Sequence, residues 1–369
     1  MCGIFGCIHG PDYNFQDEQF KSLLKTIEHR GPDNLGFSSH YIDGQIVKFG
    51  HARLSIIDLN ETGHQPMHSE SGKYSIIFNG EIYNHINVRK YLDSKYRISW
   101  KGTSDTETLL NLLEREDLRL SLNRLEGMFS FVLLNHSKKE IIISRDHSGE
   151  KPLYLSCSNN YFGFASDLNP LKGIPGFNNT LNKKSVENFL QYNYIPNPDS
   201  IYESSFKLPP ASCLILDLKK FKSDHFSSFE SFISSRGVQF FNWWNLKNNL
   251  DAKESWKSFN DLEVEENITN LLRSSVKSQL ISDVPLGAFL SGGIDSSLVT
   301  ALMQEINGNT RTYTIGFDFA EFDESIYAKK VSDYLGTDHT TYTCGEKDFF
   351  DLIEYLPSAF SEPFADSSQ

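Results

Sequence analysis

The chain starts Met1-Cys2-Gly3-Ile4-Phe5-Gly6, and removal of Met1 would leave Cys2 carrying both a thiol and a free α-amine. A thiol ordinarily titrates near about 8.5 and an α-amine near about 7.7–8.0. The amine is therefore a base poised near neutrality beside its own nucleophile, which suits attack on an amide carbonyl. Such an attack also needs an oxyanion hole and a clamp for the substrate. Asn79-Gly80-Glu81 follows a β-prone run over residues 74–78. Asn79 offers a carboxamide N–H and Gly80 an open backbone N–H, a reasonable oxyanion hole. Glu81 and Asp105 are carboxylates that could hold an ammonium. Arg53, in His51-Ala52-Arg53-Leu54-Ser55, could grip a carboxylate through two parallel N–H bonds. One arginine and two carboxylates are what an α-amino-acid zwitterion requires. Taken singly, each is an ordinary surface or salt-bridge residue; only together do they make a site.

A second cluster, Ser291-Gly292-Gly293-Ile294-Asp295-Ser296-Ser297, lies between a predicted strand and a predicted helix. Gly292 and Gly293 can take positive φ and let the backbone approach a ligand. The helix that follows opens with unpaired N–H groups and the positive end of its dipole. Hydroxyls of Ser291, Ser296 and Ser297 add donors. The set suits a phosphate or pyrophosphate. Asp295 repels an anion, so its natural partner is a Mg²⁺ ion bridging phosphates. The loop lacks the Gly-Lys-Ser/Thr of a Walker loop.

The elements that must hold these residues fall into two styles. Residues 74–78, 141–144 and 161–165 are short β-prone runs, and 129–134 is a continuous apolar run suited to a buried strand. Residues 19–28 and 105–116 have helical spacing, with Ser104 or Asp105 as N-cap. Strands with a few helices imply sheets covered by helices. From about 219 to 238, Lys, Ser and Phe dominate without a clear period, which reads as a linker or surface insertion. Beyond it, a helix over 263–280, a strand over 285–290, a helix over 298–306, a strand over 312–317, a helix over 324–335 and a strand over 340–343 alternate. That alternation predicts a parallel α/β domain, and one that stops with only a few elements after its Gly-rich turn.

Size and charge narrow the function classes. A chain of 369 residues has room for two cores. Its 48 acidic and 35 basic residues leave a net charge of -13, which argues against nucleic acid or an anionic membrane as the main partner. The start is not a secretory signal, and no apolar run approaches a membrane span. The five cysteines (Cys2, Cys7, Cys157, Cys213, Cys344) are odd in number and widely spaced. They predict neither a disulfide framework nor a structural zinc site, and fit a reducing cytoplasm. The 11 histidines show no ligand spacing, so no His-based metal site is expected.

These residues resemble the glutamine-hydrolysing asparagine synthetase family. The first half is similar to class II glutamine amidotransferase domains at 1–6, His29-Arg30-Gly31-Pro32-Asp33, 50–58, 78–85, 104–109, 127–133 and 151–154. The second half resembles the family's ATP-pyrophosphatase domain, with 282–297 as its signature. Class II amidotransferases that make aminosugars or purine precursors share the first half only. The resemblance implies an α+β N-terminal domain, an Ntn-hydrolase αββα sandwich, over 2–215. A linker or insertion follows over 216–245, and a partial α/β domain of the adenine-nucleotide α-hydrolase kind over 246–369. It also implies the roles. Cys2 is the nucleophile, Asn79 and Gly80 the oxyanion hole, and Arg53, Glu81 and Asp105 the glutamine ligands. Ser291, Gly292, Gly293, Asp295, Ser296 and Ser297 form the pyrophosphate loop, and Phe289 and Ile315 flank the adenine. Glutamine, ATP and aspartate or another carboxylate are the implied substrates, Mg²⁺ the metal and a homodimer an allowed assembly.

The chain departs from the family pattern at Asn34, at His147 and Ser148, and at Gln279. The family's second Gly- and acid-rich loop falls beyond Gln369, as does much of the acceptor pocket. Gly149-Glu150-Lys151-Pro152 and Phe364-Ala365-Asp366-Ser367-Ser368 lean toward relatives that amidate other carboxylates, such as a sugar acid. Three readings follow: an asparagine synthetase, an amidating relative with another acceptor, or a glutaminase joined to a module without synthetase activity.

Overall fold

Strand β1 (Gly3–His9) carries Ile4 and Ile8 on one face and Phe5 and Cys7 on the other, and all four are buried. Alternation with both faces apolar means that β1 lies between two cores. The structure, a computed structural model, describes residues 1–251, 258–318, 321 and 323–365. It forms two units, one of residues 1–246 with 360–369, the other of residues 247–359.

In the first unit the chain continues through β2 (Asn34–Ile42), β3 (Gln45–Arg53), β4 (Met67–His68), β5 (Tyr74–Ile82), β6 (Gly127–Asn135) and β7 (Glu140–Arg145). It then forms β8 (Tyr154–Cys157), β9 (Tyr161–Ala165), β10 (Ser205–Lys207), β11 (Ser212–Asp217) and β12 (Val238–Asn242). Two antiparallel sheets result, ordered β10-β8-β9-β1-β3-β2 and β12-β11-β7-β6-β5-β4. Ile4, Ile8 and Phe49 from the first sheet meet Ile77, Val132 and Ile143 from the second in the central core. The outer face of the first sheet, with Phe5, is covered by α1 (Asp17–Leu24) through Phe20 and Leu24. The outer face of the second, with Phe129 and Phe131, is covered by α2 (His85–Lys95) and α3 (Asp105–Arg115). This is the expected αββα sandwich. Each fully buried Phe or Leu contributes about 1.5–3 kcal/mol over its exposed state.

Most predicted elements appear with shifted ends, and four features differ in kind. The helix expected over 19–28 is α-helical only to Leu24 and tightens into a 3₁₀ turn, Lys25–Arg30. Asn79, Gly80 and Glu81 do not follow the strand but lie inside it, because β5 runs on to Ile82 against β6.

The segment expected as a linker or insertion is structural core. Phe221, Phe229 and Phe232 are buried in the central cluster. Residues Phe229–Ile233 make one short helix capped by Ser228, and Val238 opens the edge strand β12 beside β11. A five-residue helix is too short to display a period, which hid it from pattern reading. Residues 360–365 also pack with the first unit instead of the second. The Glu362 carboxylate lies 2.6 Å from Lys207 Nζ and accepts from the Tyr154 hydroxyl at 3.2 Å.

The second unit is α/β. Strands β13 (Gly287–Phe289), β14 (Arg311–Phe317) and β15 (Asp338–Cys344) form a parallel sheet in that order. Helices Asp261–Ser278, Ile294–Asn307 and Ser325–Leu335 alternate with them. Among the described residues no helix is long and apolar enough to cross a membrane. All five cysteines are free.

Candidate active site

The register of the first sheet brings the chain start to Arg53. Gly3 pairs with Ala52, so Cys2 reaches the end of β3. There the Leu54 N–H donates to Cys2 Sγ at 3.4 Å, and the thiol lies 3.6 Å from Leu54 O. Burial pushes the Cys2 thiol up, while the Leu54 N–H and the nearby chain terminus pull it down. A thiol held up in this way needs a base to become a nucleophile.

Arg53 is buried and oriented by the loop after β3. Its guanidinium donates to Asn60 O at 2.8 Å and to Asp58 O. Gly63 leaves room for it, since a Cβ there would lie 2.1 Å from Arg53 Nη2. The remaining N–H groups stay available for an anion.

Asn79 is wholly buried on β5, and its backbone neighbour Phe78 is held from two sides. The Phe78 N–H donates to Gln65 Oε1 at 2.6 Å, and Phe78 O lies 3.0 Å from His51 Nε2 on β3. Gly80 is dictated by crowding: a Cβ there would meet Met128 O at 2.2 Å. The open N–H predicted for Gly80 thus rests on close packing against β6. The buried Asn79 Oδ1 finds no partner among the described residues, while Nδ2 lies 3.5 Å from Ser166 Oγ.

Asp105 stands at the start of α3, capped by Ser104, whose hydroxyl accepts from the Glu107 N–H. Asp105 Oδ2 accepts from the Ile82 N–H at 2.9 Å, which ties the helix to β5. Burial pushes the Asp105 carboxyl up to about 7, with backbone N–H groups opposing and Glu81 adding to the rise. Burial also raises Glu81, against the pull of Lys151 and the chain terminus. A buried carboxyl and a half-buried one of like charge gain most from a cation between them.

One cavity of about 300 Å³ is lined by Cys2, Arg53, Asn79, Gly80, Glu81 and Asp105. All six residues singled out for the first site therefore meet. Lys151 and Gln65 line it too and had been given no role. Lys151 stood in a segment matched to the family, but no local pattern ties a lysine so distant in sequence to Cys2.

An expected result follows from Asp105. Below about pH 7 its carboxyl takes up a proton and the pocket loses one negative pole, so with the glutamine that the resemblance implies as substrate, KM rises as pH falls from about 8 to about 6. Asp105→Asn keeps the bond from Ile82, raises KM on the order of tenfold at about pH 8, and removes the pH dependence of KM. Initial rates of glutamate release over a range of glutamine concentrations measure both; an unchanged KM would exclude Asp105 as a ligand.

The second set of residues lies on one turn of the second unit. Gly292 takes φ +81 and its Cβ position is filled by Tyr327, so only glycine fits. Gly293 caps helix Ile294–Asn307. Ser291 and Ser296 hydroxyls lie 3.0 Å apart, and the Gly293 N–H donates to Ser291 Oγ at 3.3 Å. Ser297 Oγ is buried and has no hydrogen-bond partner among the described residues. Asp295 is exposed in the helix's first turn. Phe289 and Ile315 are exposed on adjacent strands of the sheet. Among the described residues no cluster of three His, Cys, Asp or Glu could hold a metal alone. One carboxylate beside a phosphate cradle fits Mg²⁺, which binds through one or two carboxylates plus substrate phosphates.

Comparison with known proteins identifies the two halves of the chain. Residues 1–227 match the model of a glutamine amidotransferase domain, and residues 267–369 that of asparagine synthase. A Methanocaldococcus jannaschii protein provisionally named a glutamine-hydrolysing asparagine synthetase is 33% identical over 386 residues, covering 100% of this chain and 70% of the relative. The chain belongs to the glutamine-hydrolysing asparagine synthetase family. Within that family, asparagine synthetase 1 of Bacillus subtilis is 29% identical over 374 residues, covering 99% of this chain and 54% of its own length. An amidase of Gibberella zeae is 27% identical over 363 residues, covering 92% of this chain and 50% of its own. The chain thus spans from about half to 70% of the length of these family members.

Proposed function

We propose that the chain is the glutamine-hydrolysing and ATP-binding part of an asparagine synthetase, which moves the amide nitrogen of glutamine onto ATP-activated aspartate. The observation that carries this reading is the cavity that gathers Cys2, Arg53, Asn79, Gly80, Glu81 and Asp105. Arg53 takes the α-carboxylate of glutamine, and Glu81 and Asp105 take its ammonium. The Cys2 thiol gives its proton to its own α-amine as Sγ bonds to the amide carbon. The Asn79 carboxamide and the Gly80 N–H hold the oxyanion. As the tetrahedral adduct collapses, the C–N bond breaks and the amine returns its proton to the leaving nitrogen. Ammonia departs, and water then cleaves the thioester to glutamate.

In the second unit, the side-chain carboxylate of aspartate displaces pyrophosphate from ATP, because a free carboxylate is a poor electrophile. Ammonia then displaces AMP to give asparagine. Ser291, Gly292, Gly293, Ser296 and Ser297 cradle the departing pyrophosphate, and Phe289 and Ile315 flank the adenine. Asp295 would hold Mg²⁺, which when bound supplies positive charge against the pyrophosphate.

A second acceptor class is favoured by one observation: a relative 27% identical to this chain, from Gibberella zeae, is named an amidase. The same chemistry then serves another carboxylate. The test supplies amide-¹⁵N glutamine, ATP, Mg²⁺ and aspartate, and follows the label by mass spectrometry. Labelled asparagine with AMP supports the main reading. Labelled glutamine consumed without asparagine, but with AMP formed on another carboxylate, supports the second. Glutamate release with no ATP turnover under any acceptor reduces the chain to a glutaminase.

A further inference from the structure

Lys151 is buried at the wall of the Cys2 cavity, yet among the described residues its ammonium has a single hydrogen-bonding contact, the thioether of Met1 at 3.1 Å. A buried ammonium normally finds carbonyls or carboxylates, and a thioether is a weak acceptor. Met1 is also the residue whose loss creates the amine. Its removal takes that contact away and leaves Lys151 on the wall of the cavity that Cys2 also lines. Arg30 approaches from the other side, where its Nε donates to Cys2 O at 3.3 Å and its buried Nη2 has no described partner. Two cations thus flank the residue that carries nucleophile and base.

Resting on the glutaminase reading above, we propose that Lys151, with Arg30, is a positioning residue for the base: its positive charge on the cavity wall favours the neutral form of the Cys2 α-amine. The physical reason is that a neighbouring positive charge disfavours a second one, and weak screening inside the cavity enlarges the effect. The groups facing the terminus are Cys2, Arg30, Lys151 and Glu81. Burial, Arg30 and Lys151 hold the terminal amine of Met1 below its ordinary value, while Cys2 and Glu81 oppose them. Lys151 in turn faces Glu81, Glu150, Arg30 and Asp146. Processing moves the amine one residue inward, to Cys2 N, and Cys2 also faces Asp105 and Arg53.

The experiment uses the processed full chain and follows ATP-independent glutamate release against pH. In the parent protein the acidic limb of kcat/KM lies below about 7.7, the lower end of the ordinary α-amine range. Lys151→Met keeps the length and removes the charge. It shifts that limb upward, so that kcat/KM is about tenfold lower near pH 6.5 and within about twofold of the parent near pH 9.5. Lys151→Arg restores the parent profile. The rate of Cys2 alkylation by iodoacetamide shifts along the pH axis in the same way. A uniform loss at every pH, or no shift, overturns the proposal. If Lys151→Met does not fold, Arg30→Met is read in the same way through the alkylation rate, because Arg30 flanks the same residue, and an unshifted profile there overturns the proposal. Cys2→Ala separates the two readings. Activity retained without Cys2 defeats the glutaminase assignment itself, whereas an inactive Cys2→Ala beside an unshifted Lys151→Met defeats only the role of Lys151.

Discussion

Replacing Cys2 with Ala abolishes glutamine hydrolysis, with a fall in kcat on the order of 10⁴ or more. The size of the effect comes from the covalent step: with no Sγ there is no thioester, and water must attack the amide unaided. The fold survives, because the side-chain hydrogen bonds of Cys2 among the described residues are the weak pair with Leu54 N and O, and its carbonyl, which accepts from Arg30, is kept in Ala. A chain end that cannot be processed gives the same loss through a different atom. With Met1 retained, Cys2 N is a peptide nitrogen and has no basic lone pair, although the thiol remains in place. Burial already holds that thiol up, so it stays protonated without the amine. Glutamate release measured on Cys2→Ala, on a Met1-retained form and on the parent distinguishes these. Activity retained in Cys2→Ala removes Cys2 from the mechanism, whereas activity retained only in the Met1-retained form removes its α-amine as the base. A complete protein containing the synthetase residues still forms product from free ammonia in both variants.

Asn79→Ala lowers kcat by about 10²–10³ and leaves KM for glutamine nearly unchanged. An oxyanion forms only in the transition state, so its donor acts on kcat alone. The site is built for such a donor. Gln65 and His51 hold Phe78 from both sides, which places the next residue by backbone rigidity alone. Gly80 packs directly on Met128 and Phe129, which leaves its N–H no freedom to drift. Asn79→Asp is the sharper control, since it preserves shape and replaces a donor by a charge that repels the oxyanion. A fall in KM-limited binding with kcat intact would place Asn79 among the substrate ligands instead.

Much of this site was legible before any fold was known. Strand β6 announced itself as a continuous apolar run because both of its faces are buried, Phe129, Phe131 and Leu133 toward the helices and Val132 and Leu134 toward the central core. Helix α3 showed its start at Ser104 because capping is a local event of three or four residues. The loop at Gly292 was readable because positive φ selects glycine wherever it occurs. Residues 219–238 were not legible. Their phenylalanines enter a core built by strands far away in sequence, and one helical turn carries no period.

The sequence alone determined which chemistry was on offer: a thiol able to be its own chain's terminus, a carboxamide and glycine in tandem, two carboxylates and an arginine, and a Gly- and Ser-rich turn between strand and helix. These are properties of residue type and short spacing, and they need no partner to be recognised. Tertiary structure alone decided how they act. It set Lys151 beside Met1, 150 positions apart, and tied Glu362 to Lys207 across 155. It also raised Asp105 to about 7 by burying it near Glu81. Proximity between distant residues and exclusion of water set charge, and neither is written in any short stretch of chain.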